Sequence, residues 1–237
     1  MNALAATTDF AARLAAVRNE ITAAALRAVR IPEEVSLIAV SKTYPVEVLR
    51  AAIAAGASDL GENRVQEAAG KIAELGRAAA RWHLIGHLQE NKARQAVQLF
   101  DVIHSLDSVK LAVRLERICG EEGRAGLPVL VQVDLGGEAT KTGVAENDLP
   151  LLVDTLAGCK YLRFSGLMTL PPYFADAEQT RPYFRRLREL RDEWQVRGAF
   201  GDKPGELSMG MSHDFAVAVE EGATMVRVGT AIFGARA

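Results

Sequence analysis

Two short segments near the carboxyl end of the chain combine apolar residues with glycine and hydroxyl groups. They are Ser208-Met209-Gly210-Met211-Ser212 and Arg227-Val228-Gly229-Thr230. Glycine lets the main chain approach an oxygen atom closely, and the free N–H groups at a helix start attract negative charge. Ser212 is also expected to cap a helix that begins at His213 and Asp214. The two segments therefore predict a pair of anion-binding pockets, with helix capping and no ligand as the alternative.

A lysine ends a third apolar segment, Leu37-Ile38-Ala39-Val40-Ser41-Lys42, which is predicted to be a buried strand. A buried ammonium group is costly unless it is paired or neutral. Desolvation lowers the pKa of a lysine, and the neutral amine is the form that condenses with an aldehyde. An amine at one strand end and phosphate pockets at two others predict a phosphorylated aldehyde held as a Schiff base, which is the chemistry of pyridoxal 5′-phosphate (PLP). The alternative is a lysine that reaches solvent at the rim.

Arg227 is the third candidate for a role in chemistry. It lies two residues before Gly229 and so shares one side of the strand with it, which predicts a side chain that points inward. An arginine can only donate hydrogen bonds, and a pyridine nitrogen is a suitable acceptor. An ion pair with Glu62 or Asp134 is the alternative.

Asn63 and Met209 are further candidates for contact with a cofactor. Asn63 follows a predicted strand and would touch a substituent of the ring, whereas Met209 either packs at a strand end or borders a flat ring. His83 and His87 are spaced like a metal-binding pair, but they lie on and just after a strand rather than on one helical face. We therefore expect hydrogen-bonded wall residues there and no metal site.

The order of secondary structure indicates how these residues are positioned. A helical pattern follows almost every one of eight predicted strands, which favours a (β/α)8 TIM barrel, an α/β fold, over a doubly wound open sheet. No linker divides the chain, so residues 1–237 are expected to form a single domain. Within it, residues 1–30 hold an extra helix, predicted over 7–29, that packs on the barrel. The predicted strands are Leu37–Lys42, Asp59–Glu62, Trp82–Gly86, Val102–Ser105, Val129–Leu135, Phe164–Leu170, Glu206–Met209 and Met225–Gly229.

Composition limits the possible partners. The 237 residues carry a net charge of −2, so no general attraction to nucleic acid or to an anionic membrane is expected. Cys119 and Cys159 are expected to be small core residues of a reduced protein. The first 17 residues lack the pattern of a secretory signal, and no segment approaches the ~20 apolar residues of a membrane span. We expect a cytoplasmic protein.

The chain contains seven short motifs, which are Ala39-Val40-Ser41-Lys42, Gly61-Glu62-Asn63, Trp82-His83-Leu84-Ile85-Gly86, Ile103-His104-Ser105, Gly166-Leu167-Met168-Thr169, Ser208-Met209-Gly210-Met211-Ser212 and Val226-Arg227-Val228-Gly229-Thr230. These motifs resemble those of one known family, the pyridoxal-phosphate homeostasis proteins, and they occur in that family's order from about residue 10 to the carboxyl terminus. The resemblance implies a barrel like the N-terminal domain of alanine racemase. It also implies Lys42 as the Schiff-base lysine, Arg227 facing the pyridine nitrogen, and phosphate held around Ser212, Gly229 and Thr230.

Two features favour a carrier of PLP over an enzyme. Racemisation needs a base on each face of the substrate, and in the related racemases the second base comes from a β-domain that is not expected here, because the chain ends at Ala237. Arg227 would leave the pyridine nitrogen unprotonated, which weakens the ring as an electron sink. The expected function is therefore to buffer PLP or deliver it to apo-enzymes, as a monomer with little or no racemase activity. The alternatives are a single-domain amino-acid racemase and a sugar-phosphate enzyme with an aldolase-type lysine. Lys141 would be a secondary, transient acceptor.

Overall fold

Eight parallel strands form a closed barrel in the computed structural model, which describes residues 3–137 and 142–234. Each strand pairs with its neighbours in parallel register, and β4 closes the ring against β5. This arrangement confirms the predicted (β/α)8 barrel. The eight strands are β1 Ser36–Val40, β2 Asp59–Glu62, β3 Arg81–Leu84, β4 Val102–Leu106, β5 Leu127–Asp134, β7 Leu162–Met168, β8 Glu206–Met211 and β9 Met225–Val228.

One strand was not predicted from the sequence. The two-residue strand β6, Val144–Ala145, pairs with the carboxyl end of β5 through Val133 and Asp134. A two-residue strand has no alternation of apolar and polar residues long enough to be recognised in a sequence. It lies outside the ring of eight and adds an edge beside β5.

Helices connect most of the strands and cover the outside of the barrel. Their apolar positions recur at helical spacing, as in the buried row of Leu149, Leu152, Val153 and Leu156. The first helix ends two residues earlier than predicted, just before Val29 adopts a left-handed φ of 56°. In the described residues the helices are α1 Ala3–Arg27, α2 Val46–Ala54, α3 Val65–Leu75, α4 Ala93–Leu99, α5 Val109–Glu121, α6 Leu149–Ala157, α7 Arg181–Val196, α8 Phe215–Glu220 and α9 Thr230–Phe233.

Two apolar clusters hold the barrel together. The larger one lies between strands and helices and includes fully buried Trp82 and Phe184. The smaller one, formed by Val102, Leu130 and Met168, fills part of the barrel lumen. Full burial of one such side chain contributes roughly 1.5–3 kcal/mol. Beside apolar Ile38, the lumen also holds the buried polar side chains of His83, His104, Ser208 and Arg227, whereas most barrel interiors are filled mainly by branched apolar side chains.

The two cysteines are free thiols. Cys119 is buried in the core, as predicted, and Cys159 is half-buried against it. Burial raises the pKa of each thiol to about 11, which keeps both protonated and unreactive near neutral pH. Within the described ranges, every helix is too short or too polar to cross a bilayer.

Candidate functional site

The first candidate residue, Lys42, lies in a turn rather than at the end of a strand. β1 ends at Val40, where pairing with the neighbouring strands stops, so the prediction that Lys42 ends the strand is wrong by two residues. The N–H of Ser41 still donates to the carbonyl of Gly61 at 3.0 Å, and Thr43 then turns the chain with a φ of 70°. Lys42 is half-buried at the carboxyl end of the barrel.

Two charged side chains of α3 hold this turn in place. The main-chain N–H of Thr43 donates to Glu67, and the ammonium group of Lys71 donates to the carbonyl of Ser41 at 2.8 Å. Lys71 also binds Glu67 at 2.6 Å. A left-handed threonine costs on the order of 1–3 kcal/mol and persists only where its surroundings enforce it. Glu67 and Lys71 form a charged cluster that therefore fixes the backbone from which Lys42 projects.

Glu62 completes this buried cluster. Its Oε1 atom accepts hydrogen bonds from Ser41 Oγ at 2.6 Å and from Lys71 Nζ at 2.7 Å, and its side chain is fully buried. Burial raises the pKa of Glu62, although the ammonium group of Lys71 opposes the rise. Because Glu62 is paired with Lys71, and Asp134 accepts from backbone N–H groups of its own loop, neither forms an ion pair with Arg227 among the described residues.

Lys71 and Glu67 were not predicted from the sequence. One signal was present, because Val65, Ala68 and Ile72 mark the buried face of α3, and Lys71 lies on that face. A lysine on a buried helical face needs a partner. The identity of that partner depends on how α3 packs against the barrel, which helical spacing does not report.

The two predicted anion pockets meet in the structure. The N–H of Gly229 donates to Ser212 Oγ at 3.0 Å, which ties the loop after β8 to the loop after β9. The hydroxyl proton of Ser212 remains available for a second acceptor. Thr230 opens α9 directly after Gly229, and its side chain is exposed.

Ser212 does not cap the following helix, contrary to the prediction. α8 begins at Phe215, and its N-cap residue is Asp214. Asp214 accepts the N–H of Met211 at 2.7 Å, so this carboxylate closes the turn that leads into the helix. The Ser212 hydroxyl is instead turned toward the Gly229 main chain.

Arg227 lies inside the barrel, as its spacing from Gly229 predicts. Its Nη1 donates to Ser208 Oγ at 2.6 Å and its Nη2 to the carbonyl of Thr169 at 2.9 Å. Burial lowers the pKa of Arg227 to about 10, with the charge of Asp214 opposing the shift. The guanidinium is therefore positively charged at neutral pH and presents only donors.

Asn63 follows β2 at the same end of the barrel, half-buried against a glycine. A methyl group added to Gly86 would lie 2.4 Å from the Asn63 carbonyl oxygen and 2.7 Å from its Cα. Only glycine lets the loop after β3 approach the Asn63 main chain this closely. Met209, by contrast, is fully buried and belongs to the larger apolar cluster. Lys141 lies outside the described residues.

The approach of Gly86 to Asn63 leads to a testable prediction. We expect Gly86→Ala to destabilise the protein by roughly 1–3 kcal/mol, because the added methyl must displace backbone rather than a flexible side chain. Urea unfolding measures this cost. Gly70→Ala is the matched control, because nothing lies within 4 Å of a methyl group at that position in α3, and alanine favours the helix. Equal stability of Gly86→Ala and wild type would contradict the packing described.

Comparison with known proteins first defines the class to which this barrel belongs. The family model of the alanine racemase N-terminal domain matches residues 13–237. Alanine racemase from Corynebacterium glutamicum superimposes with a TM-score of 0.65 at 20% identity, over 94% of this chain and 61% of the racemase. At that identity the likeness concerns the fold alone. The protein is thus a barrel of the alanine racemase N-terminal type, with polar groups gathered at the carboxyl ends of its strands.

Proteins with higher sequence identity to this chain show the family to which it belongs. The pyridoxal phosphate homeostasis protein of Pseudomonas aeruginosa is 44% identical over 229 residues, which cover 95% of each chain. Its counterpart in Aquifex aeolicus is 43% identical over 94% of this chain and 97% of its own. PipY of Synechococcus elongatus, solved with PLP bound, superimposes with a TM-score of 0.83 at 43% identity and covers 95% of this chain and 100% of its own. This chain belongs to the family of pyridoxal phosphate homeostasis proteins.

Proposed function

We propose that this protein binds PLP and buffers it or delivers it to other proteins, as a component of vitamin B6 homeostasis. The observation that carries the proposal is the convergence of three elements at one end of the barrel. These are the turn that bears Lys42, the hydrogen-bonded pair Ser212 and Gly229, and the guanidinium of Arg227. The family membership and the PLP-bound relative support the same conclusion.

The groups present at this end of the barrel fit PLP chemically. A phosphate dianion needs donors, which the Ser212 hydroxyl, the N–H groups where α9 begins at Thr230, and the Thr230 hydroxyl supply. A pyridine nitrogen needs a donor, which Arg227 supplies, and an aldehyde needs an amine, which Lys42 supplies. PLP, when bound, supplies an aldehyde carbon that reacts reversibly with amines.

Each residue has a distinct part in the proposed site. Lys42 holds PLP as a Schiff base, and its turn is fixed by Glu67 and Lys71 so that the backbone of the turn does not have to be ordered on binding. Asn63 contacts a ring substituent, whereas Met209 packs in the larger apolar cluster and supports the strand that leads to Ser212. The whole chain, residues 1–237, forms one PLP-binding domain with its first 30 residues packed on the barrel, and it acts as a monomer.

A transfer experiment tests this function. Protein loaded with PLP and freed of unbound cofactor is mixed with an excess of an apo PLP-dependent enzyme, and recovery of that enzyme's activity is followed. We expect the activity of the apo-enzyme to recover at a rate set by release of PLP from the loaded protein or by its direct transfer. Protein that was never loaded with PLP should restore no activity. Failure of the purified protein to retain PLP at all would overturn the proposal.

The racemase fold gives a second candidate, a PLP-dependent amino-acid racemase acting as a single domain. Conversion of L-alanine to D-alanine by the PLP-loaded protein would support it. The charged Arg227 argues against efficient racemisation, because a donor-only group leaves the pyridine nitrogen unprotonated and the ring a weak electron sink. We therefore place the protein among carriers.

The role of Arg227 leads to a prediction of its own. Arg227→Glu offers the pyridine nitrogen an acceptor and favours its protonation, so α-proton exchange of an added amino acid into deuterated water should rise. An increase on the order of tenfold corresponds to ~1.4 kcal/mol off the barrier. Arg227→Lys is the control, because it keeps a donor and should exchange slowly. Slower exchange in Arg227→Glu, with PLP occupancy confirmed, would show that Arg227 does not set the ring's electronic state.

A further inference from the structure

A continuous row of hydrogen bonds runs through the barrel lumen and ends at Arg227. Asp59 Oδ1 lies 2.9 Å from His83 Nε2, and His83 Nδ1 lies 2.9 Å from His104 Nε2. His104 Nδ1 lies 2.9 Å from Ser208 Oγ, which also accepts from Arg227 Nη1 at 2.6 Å. We call these five residues the lumen chain.

The lumen chain connects the two ends of the barrel. Asp59 is the first residue of β2 and so lies at the amino-terminal end of its strand, with 17% of its side chain exposed. Arg227 precedes the carboxyl end of β9 by one residue. The link between His104 and Ser208 spans the lumen, because β4 and β8 are not neighbours in the sheet. Between its ends, the chain is buried.

The residues at the two ends of the lumen chain determine which partner donates in each of its hydrogen bonds. Arg227 can only donate, so Ser208 Oγ accepts from it and turns its own proton toward His104. At the other end, burial opposes ionisation of Asp59, but hydrogen bonds from His83 and Ser58 outweigh burial and hold its pKa below the ordinary value. An ionised carboxylate can only accept.

The histidines between these ends are neutral. Burial lowers the pKa of His83, with Asp59 partly opposing the shift, and burial together with the nearby charge of Arg227 keeps the pKa of His104 well below its usual value. A neutral imidazole has one donor and one acceptor. His104 therefore donates from Nε2 to His83 Nδ1, and His83 donates from Nε2 to Asp59. Each hydrogen bond of the lumen chain is therefore donated in the direction that leads away from Arg227 and toward Asp59.

We propose that Asp59, His83 and His104 are positioning residues that hold the Arg227 guanidinium for the cofactor ring from the opposite end of the barrel. This inference rests on the proposed PLP site. Through Ser208, the chain fixes Nη1, while the Thr169 carbonyl fixes Nη2, so these two acceptors together set the orientation of the guanidinium plane. Asp214 is the carboxylate whose charge acts on Arg227, and it lies in the turn before α8 rather than in the chain.

The direction of the chain is tested in protein without PLP. Long-range ¹H–¹⁵N spectra of the imidazole rings distinguish the two neutral tautomers from each other and from the charged form. We expect both His83 and His104 to be neutral and protonated at Nε2 from about pH 6 to 8. A proton on Nδ1 of either ring, or a charged ring in this range, would overturn the proposed direction.

The effect on the cofactor is tested with variants of Asp59. Asp59→Leu removes the terminal acceptor and should weaken PLP binding on the order of tenfold, within the coupling range of residues that share one network. Asp59→Asn retains an oxygen that accepts from His83 and should restore most of the affinity. Asp202→Asn is the matched control, because Asp202 is exposed in the loop that precedes β8, at the same end of the barrel. It should bind PLP as wild type does.

A double-mutant cycle distinguishes a loss of protein stability from a loss of Arg227 positioning. Ser208→Ala breaks the chain next to Arg227, so adding Asp59→Leu to it should cost little further PLP affinity. Additive losses of affinity, or wild-type affinity in a folded Asp59→Leu protein, would overturn the positioning role. If the wild-type protein binds no PLP, the proposed function fails, while the imidazole spectra still decide the direction of the chain.

Discussion

Replacing Lys42 with alanine is expected to abolish covalent fixation of PLP and to weaken its binding by about a hundredfold or more, a loss of ~2.7 kcal/mol. The turn after β1 presents this amine at the carboxyl end of the barrel, and no other group proposed for the site can form a Schiff base. Reduction with borohydride followed by peptide mass mapping measures the fixation, and an absorbance titration measures the affinity.

Lys110→Ala is the matched control for this experiment. Lys110 lies on α5 with 78% of its side chain exposed and pairs only with Glu90 among the described residues. We expect it to retain wild-type absorbance and a borohydride-stable adduct on Lys42. An adduct that maps to Lys110 or Lys92 in the wild-type protein would contradict the proposed site.

The second large effect is expected when Ser212 and Thr230 are both replaced with alanine. Each hydroxyl offers a charge-assisted hydrogen bond to a phosphate dianion, worth roughly 1.5–3 kcal/mol. If the two contributions add, PLP affinity falls by about two orders of magnitude or more. The Gly229 N–H would also lose its acceptor at Ser212, which loosens the link between the two loops.

Pyridoxal, which lacks the phosphate, is the control ligand that tests whether these hydroxyls bind the phosphate. Wild-type protein should bind PLP far more tightly than pyridoxal, and the double variant should lose most of that preference while keeping its affinity for pyridoxal. Thr155→Ala removes a hydroxyl that donates to Leu151 within α6, away from the site, and should leave both affinities unchanged. Equal binding of PLP and pyridoxal by wild-type protein would rule out a phosphate pocket at these residues.

The sequence by itself determined the fold and the end of the barrel at which the candidate residues gather. Alternating apolar runs and helical patterns report which faces are buried, and eight strand–helix units leave few alternatives to a parallel barrel. The carboxyl ends of parallel strands share one face. The sequence therefore assigns Lys42, Asn63, Ser212 and Gly229 to the same region. The inward direction of Arg227 followed from its two-residue spacing to Gly229.

Tertiary structure alone decided the partners of the polar groups. Lys71 binds the carbonyl of Ser41 from 30 positions away, and His104 binds Ser208 across 104 positions. Such pairs depend on how the strands are staggered when the barrel closes, a quantity that no local periodicity encodes. For the same reason the sequence predicted Ser212 as a helix cap, whereas closure of the barrel brings the Gly229 N–H to its hydroxyl. Buried hydrogen-bond partners are selected by three-dimensional proximity and by the cost of leaving a polar group unpaired, and both are set only when the whole chain has folded.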